Sequence, residues 1–383
     1  MRISHFGTIA IAAALVTALG LTLAACGEDT SDAPLGAADD PGVEDVDATE
    51  RPDAEADADD MTAAMAACDR GCLIGVTDDY LAALAANDPS AAPLAGDVRF
   101  VEDVTPMEPG QGLWETAVSG PTDFAIYVPD ETNQTAGFLG VITRMAAPPA
   151  PQGMSAEERA EFAATTEKTE QPALIALRLK LEDGEIVEAE HLTTGLRDMA
   201  PFDALRSGLR LDSEIPPADR KPHAELIEIG ESYYDALDDN DGTLMPFAAD
   251  CERHENGMVT ASPDPGTGGG PNNAGATPRD CAGQLSSNVM AYITTIDNRR
   301  VFAADPATGL VMGLSHFRHP MDFEPYEVTL SDGSTVVRDK DSFGFAPFDL
   351  PAAHVFKIGA DGMVHEIEAM GFMAPYDSDT GWE

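Results

Sequence analysis

Two stretches of this chain align with each other without a gap, YLAALAANDPSAAPLAGDVRFVED (80–103) and YYDALDDNDGTLMPFAADCERHEN (233–256). The identical pairs are Tyr80/Tyr233, Ala83/Ala236, Leu84/Leu237, Asn87/Asn240, Asp88/Asp241, Pro93/Pro246, Ala95/Ala248, Asp97/Asp250 and Glu102/Glu255. This internal repeat predicts two copies of one structural unit. In each copy, a helix should stop at Asn-Asp and a strand should follow.

A second match lies at the far end of each copy. ALRLKLEDGEIVEAEHL (176–192) faces HVFKIGADGMVHEIEAM (354–370), and each run holds an Asp-Gly pair between strand-like segments. Asp-Gly between such segments indicates a tight hairpin. One helix followed by long antiparallel strands, twice over, predicts an α+β fold. We expect two tandem cone-like domains, each a curved antiparallel sheet covered by N-terminal helices.

The domain boundaries follow from the repeat and from the prolines between its copies. We predict a first domain at 62–200, a linker at 201–221 and a second domain at 222–383. Two domains suit the length of 383 residues, and 43% hydrophobic residues can supply two cores.

The runs CDRGCLIGVTDDYLAALAANDPSAAPLAGDVRFVED and DCERHENG resemble the nuclear-transport-factor-2-like, or SnoaL-like, cone fold in tandem. They also resemble a family of exported two-domain proteins of unknown function. The resemblance covers roughly residues 68–380. It implies a pocket between each sheet and its helices. Because the family brings no established reaction, no catalytic residue carries over.

The N-terminus is typical of an exported lipoprotein. An apolar run ends in Leu23-Ala24-Ala25-Cys26, which resembles the bacterial lipobox. We expect a signal peptide at 1–25, acylation of Cys26, and an acidic disordered tether at 26–61. Gly27, rather than Asp, follows the cysteine, which favours the outer membrane as the address within the cell envelope. The alternative is an uncleaved transmembrane anchor.

The formal net charge of −46 excludes some partners. Nucleic acid and anionic lipid head groups carry the same sign as this surface, so we expect no nucleic-acid binding. The membrane should be reached through the lipid anchor alone, and a small molecule is the expected ligand.

Four cysteines remain besides Cys26, an even number that favours disulfides in an exported chain. We predict local pairs, Cys68 with Cys72 and Cys251 with Cys281. A zinc site is the alternative, but Cys-x3-Cys alone is not a zinc spacing.

The two copies differ in polarity at their first strand, where the second copy reads Cys-Glu-Arg-His-Glu-Asn (251–256). Strand alternation puts Arg253 and Glu255 on one face and Glu252, His254 and Asn256 on the other. Because a desolvated His, Arg and Glu can exchange protons, the candidate catalytic residues are His254, Glu255 and Arg253. The candidate ligand-binding residues are Asn256, Tyr292, Arg300 and His316. The alternative is a hydrated face whose Arg–Glu pairs stabilise the sheet.

Other polar residues of the strands favour structural roles. Glu190 and Glu368 occupy matching places on the last strand of each copy, and we expect both on exposed faces; the alternative is a buried carboxylate that acts as a base. His316 and His319 differ by three positions, which puts them on opposite faces of a strand. We therefore expect no metal site and no cofactor.

Two functions remain. One is a lipoprotein that binds a small organic ligand or a partner in a cone pocket. The other is a cofactor-free isomerase, lyase or hydrolase that uses the polar residues of the second copy. The chain has no G-x-S-x-G, P-loop, G-x-G-x-x-G or H-E-x-x-H motif, so it lacks the usual signatures of serine hydrolases, nucleotide-binding proteins and zinc proteases.

Lipid anchoring is testable at Cys26. Cys26→Ser removes the only acylation site in the lipobox, so the variant should move from the membrane pellet to the soluble fraction on cell fractionation. Cys68→Ser serves as a control for cysteine loss and should stay in the pellet. A Cys26→Ser protein that sediments like the wild type would show that the anchor is not the lipid.

Overall fold

A computed structural model describes residues 67–151, 154, 156–196, 211, 213–264, 280–343 and 346–383. All of these residues belong to one compact unit, Thr62–Glu383. The predicted signal peptide, Cys26 and the tether lie outside the described residues, as do much of the linker and of the loop after Asp264. No helix in the described part of the chain is both long and apolar enough to cross a membrane.

The first copy contains three helices and one sheet. The helices are α1 (Arg70–Ala85), α2 (Leu113–Thr116) and α3 (Ala156–Thr165), with a 3-10 turn at Pro89–Ala91. The strands are β1 (Leu94–Glu102), β2 (Thr105–Met107), β3 (Ala117–Ser119), β4 (Ala125–Asp130), β5 (Thr135–Ala146), β6 (Thr169–Glu182) and β7 (Glu185–Gly195).

The second copy begins with a 3-10 turn at Pro217–Asp219. Its helices are α4 (His223–Asp238), α5 (Cys281–Ser286) and α6 (Lys340–Phe343). The strands of its sheet are β8 (Phe247–Glu255), β9 (Met258–Ala261), β10 (Thr295–Asp305), β11 (Leu310–His319), β14 (Phe348–Ile358), β15 (Val364–Gly371) and β16 (Ala374–Pro375). A separate hairpin is formed by β12 (Tyr326–Thr329) and β13 (Thr335–Arg338).

The two sheets follow the same strand order. The first runs β2-β1-β7-β6-β5, with β3 and β4 both paired to β5, and the second runs β9-β8-β15-β14-β11-β10, with β16 on β14. The α+β class is confirmed. The expectation of wholly antiparallel sheets is wrong, because β1 pairs parallel with β7 and β8 pairs parallel with β15. The paired strands are the first and the last long strand of each sheet, so the long stretch of chain between them permits parallel pairing.

The Asn-Asp pair stops the main helix of each copy, as the sequence predicts. Asn87 and Asn240 follow the ends of α1 and α4 with φ of 55° and 52°. Asn is among the few residues that accept this left-handed conformation easily, and it redirects the chain towards the next strand. Asn87 also donates from Nδ2 to the carbonyls of Trp114 and Ala117, at 2.8 and 3.0 Å.

Each sheet has an inner face, which packs against its own helix, and an outer face. The inner core of the first sheet holds Tyr80 and Leu84 of α1 against Phe138 and Leu177. The inner core of the second sheet holds Tyr233 and Leu237 of α4 among its strands. Burying a large apolar side chain contributes roughly 1.5–3 kcal/mol, so these faces fix each helix on its sheet.

The outer faces of the two sheets pack against each other. Their shared core includes Leu139, Val141, Leu174, Ala176 and Leu192 from the first sheet and Leu310, Met312, Leu314, Ala353 and Val355 from the second. Gly137 lies at a close approach, because a Cβ built there would stand 2.7 Å from Sδ of Met312. One continuous apolar core therefore joins the two copies. The predicted boundaries at 62–200 and 222–383 stay a prediction.

Glu190 and Glu368 lie on these outer faces, and the expectation that they are exposed is wrong. They are 3% and 2% exposed. Glu190 accepts two hydrogen bonds from the Arg300 guanidinium, both at 2.8 Å, and so forms a bidentate pair between the two sheets. Glu368 pairs within its own sheet, with His254. The burial of these carboxylates could not be predicted, because the alternation of polar and apolar residues within one strand does not show that a second sheet packs against it.

Both predicted disulfides are confirmed, Cys68–Cys72 and Cys251–Cys281. Cys251 of β8 and Cys281 of α5 are 30 residues apart in the sequence, so their bridge closes a long loop on the edge of the second sheet. Cys68 and Cys72 are only 4 apart, at the start of α1. The entropy that a crosslink removes from the unfolded chain grows with the loop it closes.

The two bridges should therefore differ in their effect on stability. Removal of the long bridge by Cys251→Ser and Cys281→Ser should lower the free energy of unfolding by about 3–4 kcal/mol, because the unfolded chain regains the loop entropy. The matched control, Cys68→Ser with Cys72→Ser, should cost clearly less. Urea titration of the two double variants measures both effects. Equal losses would contradict the loop-entropy account.

Candidate functional site

A cavity of about 170 Å³ opens on the inner face of the second sheet. Most of its wall is apolar. The apolar lining residues are Leu237, Met290, Ile293, Phe317, Met321, Phe348, Leu350, Ala352, Ala369, Met370 and Met373, with Gly371. Five polar side chains complete the lining: Arg253, Glu255, Tyr292, His319 and His354. The cavity is thus an apolar space with a small number of placed polar groups, the usual composition of a small-molecule site.

Arg253 is held in one position by three partners. It sits on β8, is 7% exposed, and donates from Nε to the Tyr233 hydroxyl at 2.9 Å. Its Nη1 donates to Thr260 Oγ1 at 2.7 Å and to Glu255 Oε2 at 3.0 Å. Burial lowers the pKa of Arg253, but Tyr233 and Glu255 outweigh it and the pKa is raised. The guanidinium therefore stays charged, and the Glu255 carboxylate beside it balances that charge.

Two buried histidines face the same space. His354 of β14 is 1% exposed, and burial together with the Arg253 charge holds its pKa well below the usual range. His319, at the end of β11, is also 1% exposed and stacks on Phe348 with ring centroids 4.2 Å apart. Burial lowers the pKa of His319 to about 4. Both imidazoles are therefore neutral near pH 7, and each can give or accept a hydrogen bond.

One ring nitrogen of His319 lacks a hydrogen-bond partner. Nδ1 of His319 is buried and makes no hydrogen bond, whereas His354 Nδ1 lies 3.4 Å from the Tyr234 hydroxyl. A buried polar atom without a partner costs free energy, so a ligand that supplies one would gain that energy on binding. Tyr292 stands nearby, with its ring 5.6 Å from that of His319, and burial raises its pKa, which keeps the phenol protonated.

The predicted site residues fall into two groups. Arg253, Glu255 and Tyr292 line the cavity together. His254, Asn256, Arg300 and His316 do not. Arg300 binds Glu190, and His316 lies 3.3 Å from Asp349 Oδ2 and 3.2 Å from Ser378 Oγ. The split follows the alternation of β8 and β11, which puts neighbouring side chains on opposite faces.

Asn256 has a backbone role in the turn after β8. It adopts φ of 49°, and its amide exchanges two hydrogen bonds of 3.2 Å with the backbone of Gly371. Asp103 takes the matching place in the first copy, with φ of 47° and a hydrogen bond from the Thr193 backbone amide at 2.7 Å. The fold itself therefore accounts for a polar residue at this position in both copies.

His319 and His354 are the cavity residues that the sequence analysis missed. His354 sits in a strand whose other inner residues are apolar, so a lone histidine at an inner position was the available signal. The ungapped alignment placed His354 opposite Ala176. The strand pairing instead matches it to Leu177, because the turn at 359–363 is one residue longer than the turn at 182–185.

The first copy fills the equivalent space. Phe100 stands in place of Arg253, Leu177 in place of His354, and both belong to the first inner core together with the buried Trp114. Three of its polar side chains bond to one another: the Tyr80 hydroxyl lies 2.8 Å from His191 Nε2, and His191 Nδ1 lies 3.0 Å from Glu102. Glu102 also accepts from the Leu113 amide at 2.9 Å.

The sequence profile of a family described as a domain of unknown function (DUF8021) matches residues 219–371 of this chain, the part that holds the second sheet. Comparison with curated proteins found no match. Among solved structures, a candidate polyketide cyclase from Xanthomonas campestris pv. campestris is similar at 16% identity and a TM-score of 0.24, covering 36% of this chain and 98% of its own.

Two further solved structures are similar over a comparable length. AclR, a candidate hydroxylase from Streptomyces galilaeus, has 12% identity and a TM-score of 0.23, with 39% of this chain and 92% of its own covered. An NTF2-like protein from Burkholderia thailandensis E264 has 19% identity and a TM-score of 0.22, with coverages of 40% and 92%. Identities and TM-scores this low carry no information about activity. The chain is similar to NTF2-like and cyclase-type structures and to a domain family whose function is unknown.

Proposed function

We propose that this protein is a lipid-anchored protein of the cell envelope that binds a small, uncharged organic ligand in the cavity of its second sheet. The single observation that carries the binding proposal is the cavity itself, an apolar space of about 170 Å³ with a buried, unpartnered imidazole nitrogen on its wall. The envelope location rests on the predicted lipobox and its Cys26.

The size of the cavity indicates the size of the ligand. A dry apolar cavity of about 150 Å³ holds one benzene molecule. A single substituted ring therefore suits this space, and a large polycyclic compound would require it to widen. Three lining methionines, Met290, Met321 and Met373, have flexible side chains that can adjust to the outline of such a ring.

The charges of the wall favour an uncharged ligand. Arg253 and Glu255 form an ion pair, and Arg253 also donates from Nε to Tyr233 and from Nη1 to Thr260. His319 and His354 are neutral near pH 7 because burial lowers both pKa values. A charged ligand would lose hydration without gaining a free counter-charge. One hydroxyl or carbonyl group could instead bond to His319.

A second candidate function is acid–base catalysis by a cofactor-free isomerase, lyase or hydrolase. The observation that favours it is the pair of neutral imidazoles beside an ion pair, since a neutral imidazole can take a proton from a bound substrate. Catalysed exchange of the α-protons of cyclohexanone with deuterium from solvent, abolished in His354→Phe, would distinguish this function from binding alone.

The binding proposal predicts a specific response to p-cresol, a single ring with one uncharged hydroxyl. Ala352→Leu adds bulk to the cavity wall, so it should weaken p-cresol binding at least tenfold in isothermal titration calorimetry while thermal stability stays equal or rises. His319→Phe removes the hydrogen-bond partner and should weaken binding by a smaller factor.

The matched control is His365→Phe, because His365 is a half-buried histidine of the same sheet that hydrogen-bonds to Asp250 outside the cavity. This variant should bind p-cresol as the wild type does. If Ala352→Leu and the wild type give the same dissociation constant, or if p-cresol does not bind at all, the cavity is not the proposed site.

A further inference from the structure

A second group of polar side chains lies on the outer face of the second sheet, away from the cavity. β8 contributes Glu252 and His254, and β15 contributes Glu366 and Glu368. The parallel register of these strands places Glu366 beside Glu252 and Glu368 beside His254. His254, Glu366 and Glu368 are 2%, 7% and 2% exposed. Three carboxylates therefore gather around one buried imidazole.

The distances within this group are those of a small ion site. His254 Nδ1 lies 2.7 Å from Glu368 Oε1 and 4.0 Å from Glu366 Oε1, and one ligand atom from each residue falls within 4.8 Å of the others. The other ring nitrogen, Nε2, is buried and has no hydrogen-bond partner, while Glu252 Oε2 lies 3.8 Å from it. Glu252 is itself fixed by a 2.7 Å hydrogen bond from Ser262.

We propose that His254, Glu366 and Glu368 bind a divalent transition-metal ion, with zinc as the representative. Imidazole together with carboxylate is a ligand set for Zn²⁺ and its neighbours, whereas Ca²⁺ and Mg²⁺ prefer oxygen ligands alone. The ion enters between His254 Nδ1 and Glu368, where it displaces the proton that the two groups share, and that proton leaves to solvent.

The position of Glu252 is explained by the same arrangement. Once the metal holds Nδ1, the ring hydrogen stays on Nε2 and points towards the Glu252 carboxylate. A ligating histidine that donates its second ring N–H to a carboxylate is a recurrent feature of metal sites, because the carboxylate fixes the ring and strengthens the ligand. The otherwise unpartnered Nε2 thereby gains a partner.

Comparison with the first sheet shows that the fold does not require this group. The place of His254 is taken there by Val101, as the pairing of Val101 with Glu190 and of His254 with Glu368 shows. Glu190 has the Arg300 guanidinium as its counter-charge. In the second sheet, the partner of Glu368 is the His254 imidazole and not an arginine. Lys357 is opposite Glu366 in register, and its Nζ also donates to the carbonyls of Leu211, Ser213 and Thr308.

The electrostatics of His254 agree with a cation at this place. Carboxylate oxygens of Glu368, Glu252 and Glu366 lie 2.7, 3.8 and 4.0 Å from its ring nitrogens. These negative charges attract a cation to the site. Because protons compete with a metal for the same ligand atoms, metal affinity should fall as the pH falls. The sequence led us to expect no metal site, because neither Cys-x3-Cys nor the pair His316 and His319 suits one.

The test uses the full folded protein, freed of metal by dialysis against a chelator and then titrated with Zn²⁺ at high salt. High salt screens loose binding to the acidic surface. We expect about one tightly bound ion per chain by elemental analysis and calorimetry, and a visible absorption spectrum with Co²⁺ that reports nitrogen ligation. His254→Val and the isosteric Glu368→Gln should each abolish that site. Glu252→Gln should weaken it about 10–100-fold.

The matched control is Glu190→Gln, which changes the counterpart of Glu368 in the first sheet and should leave Zn²⁺ affinity unchanged. Circular dichroism and thermal melting check that each variant folds. The proposal is overturned if the wild type retains no Zn²⁺ under these conditions. It is equally overturned if His254→Val and Glu368→Gln, once shown to fold, bind Zn²⁺ with the wild-type stoichiometry and affinity.

Discussion

The packing of the two sheets on each other through their outer faces is the interaction on which the rest of the structure depends. A single sheet with one helix can cover only its inner face, and the outer face would remain an exposed apolar surface. The outer faces of the two sheets exclude water from each other where they pack together. The residues in this contact include Leu174 and Leu192 of the first sheet and Met312 and Val355 of the second. The close approach at Gly137 shows how tightly the faces meet.

As a result of this packing, the four sheet faces have different structural roles. The two outer faces are committed to the shared core, so a polar group there must find a partner within the interface, as Glu190 does with Arg300. The inner face of the first sheet is committed to packing, because Trp114, Phe100 and Leu177 fill it. The inner face of the second sheet keeps a cavity with Arg253, Glu255, Tyr292, His319 and His354 on its wall, and we assign ligand binding to that face.

The parts of the fold set by local interactions could be predicted from the sequence. The helix stop at Asn87 and Asn240 and the Asp-Gly hairpins depend on the conformational preferences of single residues. The even cysteine count, with each cysteine paired to its neighbour in the sequence, led to the correct disulfide pairs. Alternation along β8 correctly separated Arg253 from His254. The parallel pairing of β8 with β15 could not be predicted, because these strands are far apart in the sequence and neither contains a residue pattern that indicates its partner.

Errors in the predicted site have one physical origin, the contact of distant strands. Glu190 and Glu368 were expected to be exposed because no pattern within β7 or β15 reveals that another sheet covers them. His354 was missed because a one-residue difference in turn length moved it by one place in the alignment, and one place changes the face of a strand. The metal ligands we propose likewise come together only when β8 and β15 pair.

The central claim is that the polar inner face of the second sheet serves ligand binding and is not needed for folding. Its direct test replaces three residues of the second copy with their counterparts from the first. The triple variant is Arg253→Phe, His354→Leu and Ala369→His. The new histidine should form, with Tyr233 and Glu255, the hydrogen-bond network that Tyr80, His191 and Glu102 form in the first copy. The measurement is the free energy of unfolding in urea. We expect a value equal to that of the wild type or higher, to within about 1 kcal/mol, because a filled core replaces a cavity. A loss of several kcal/mol would show that Arg253 and His354 are structural and would contradict the account.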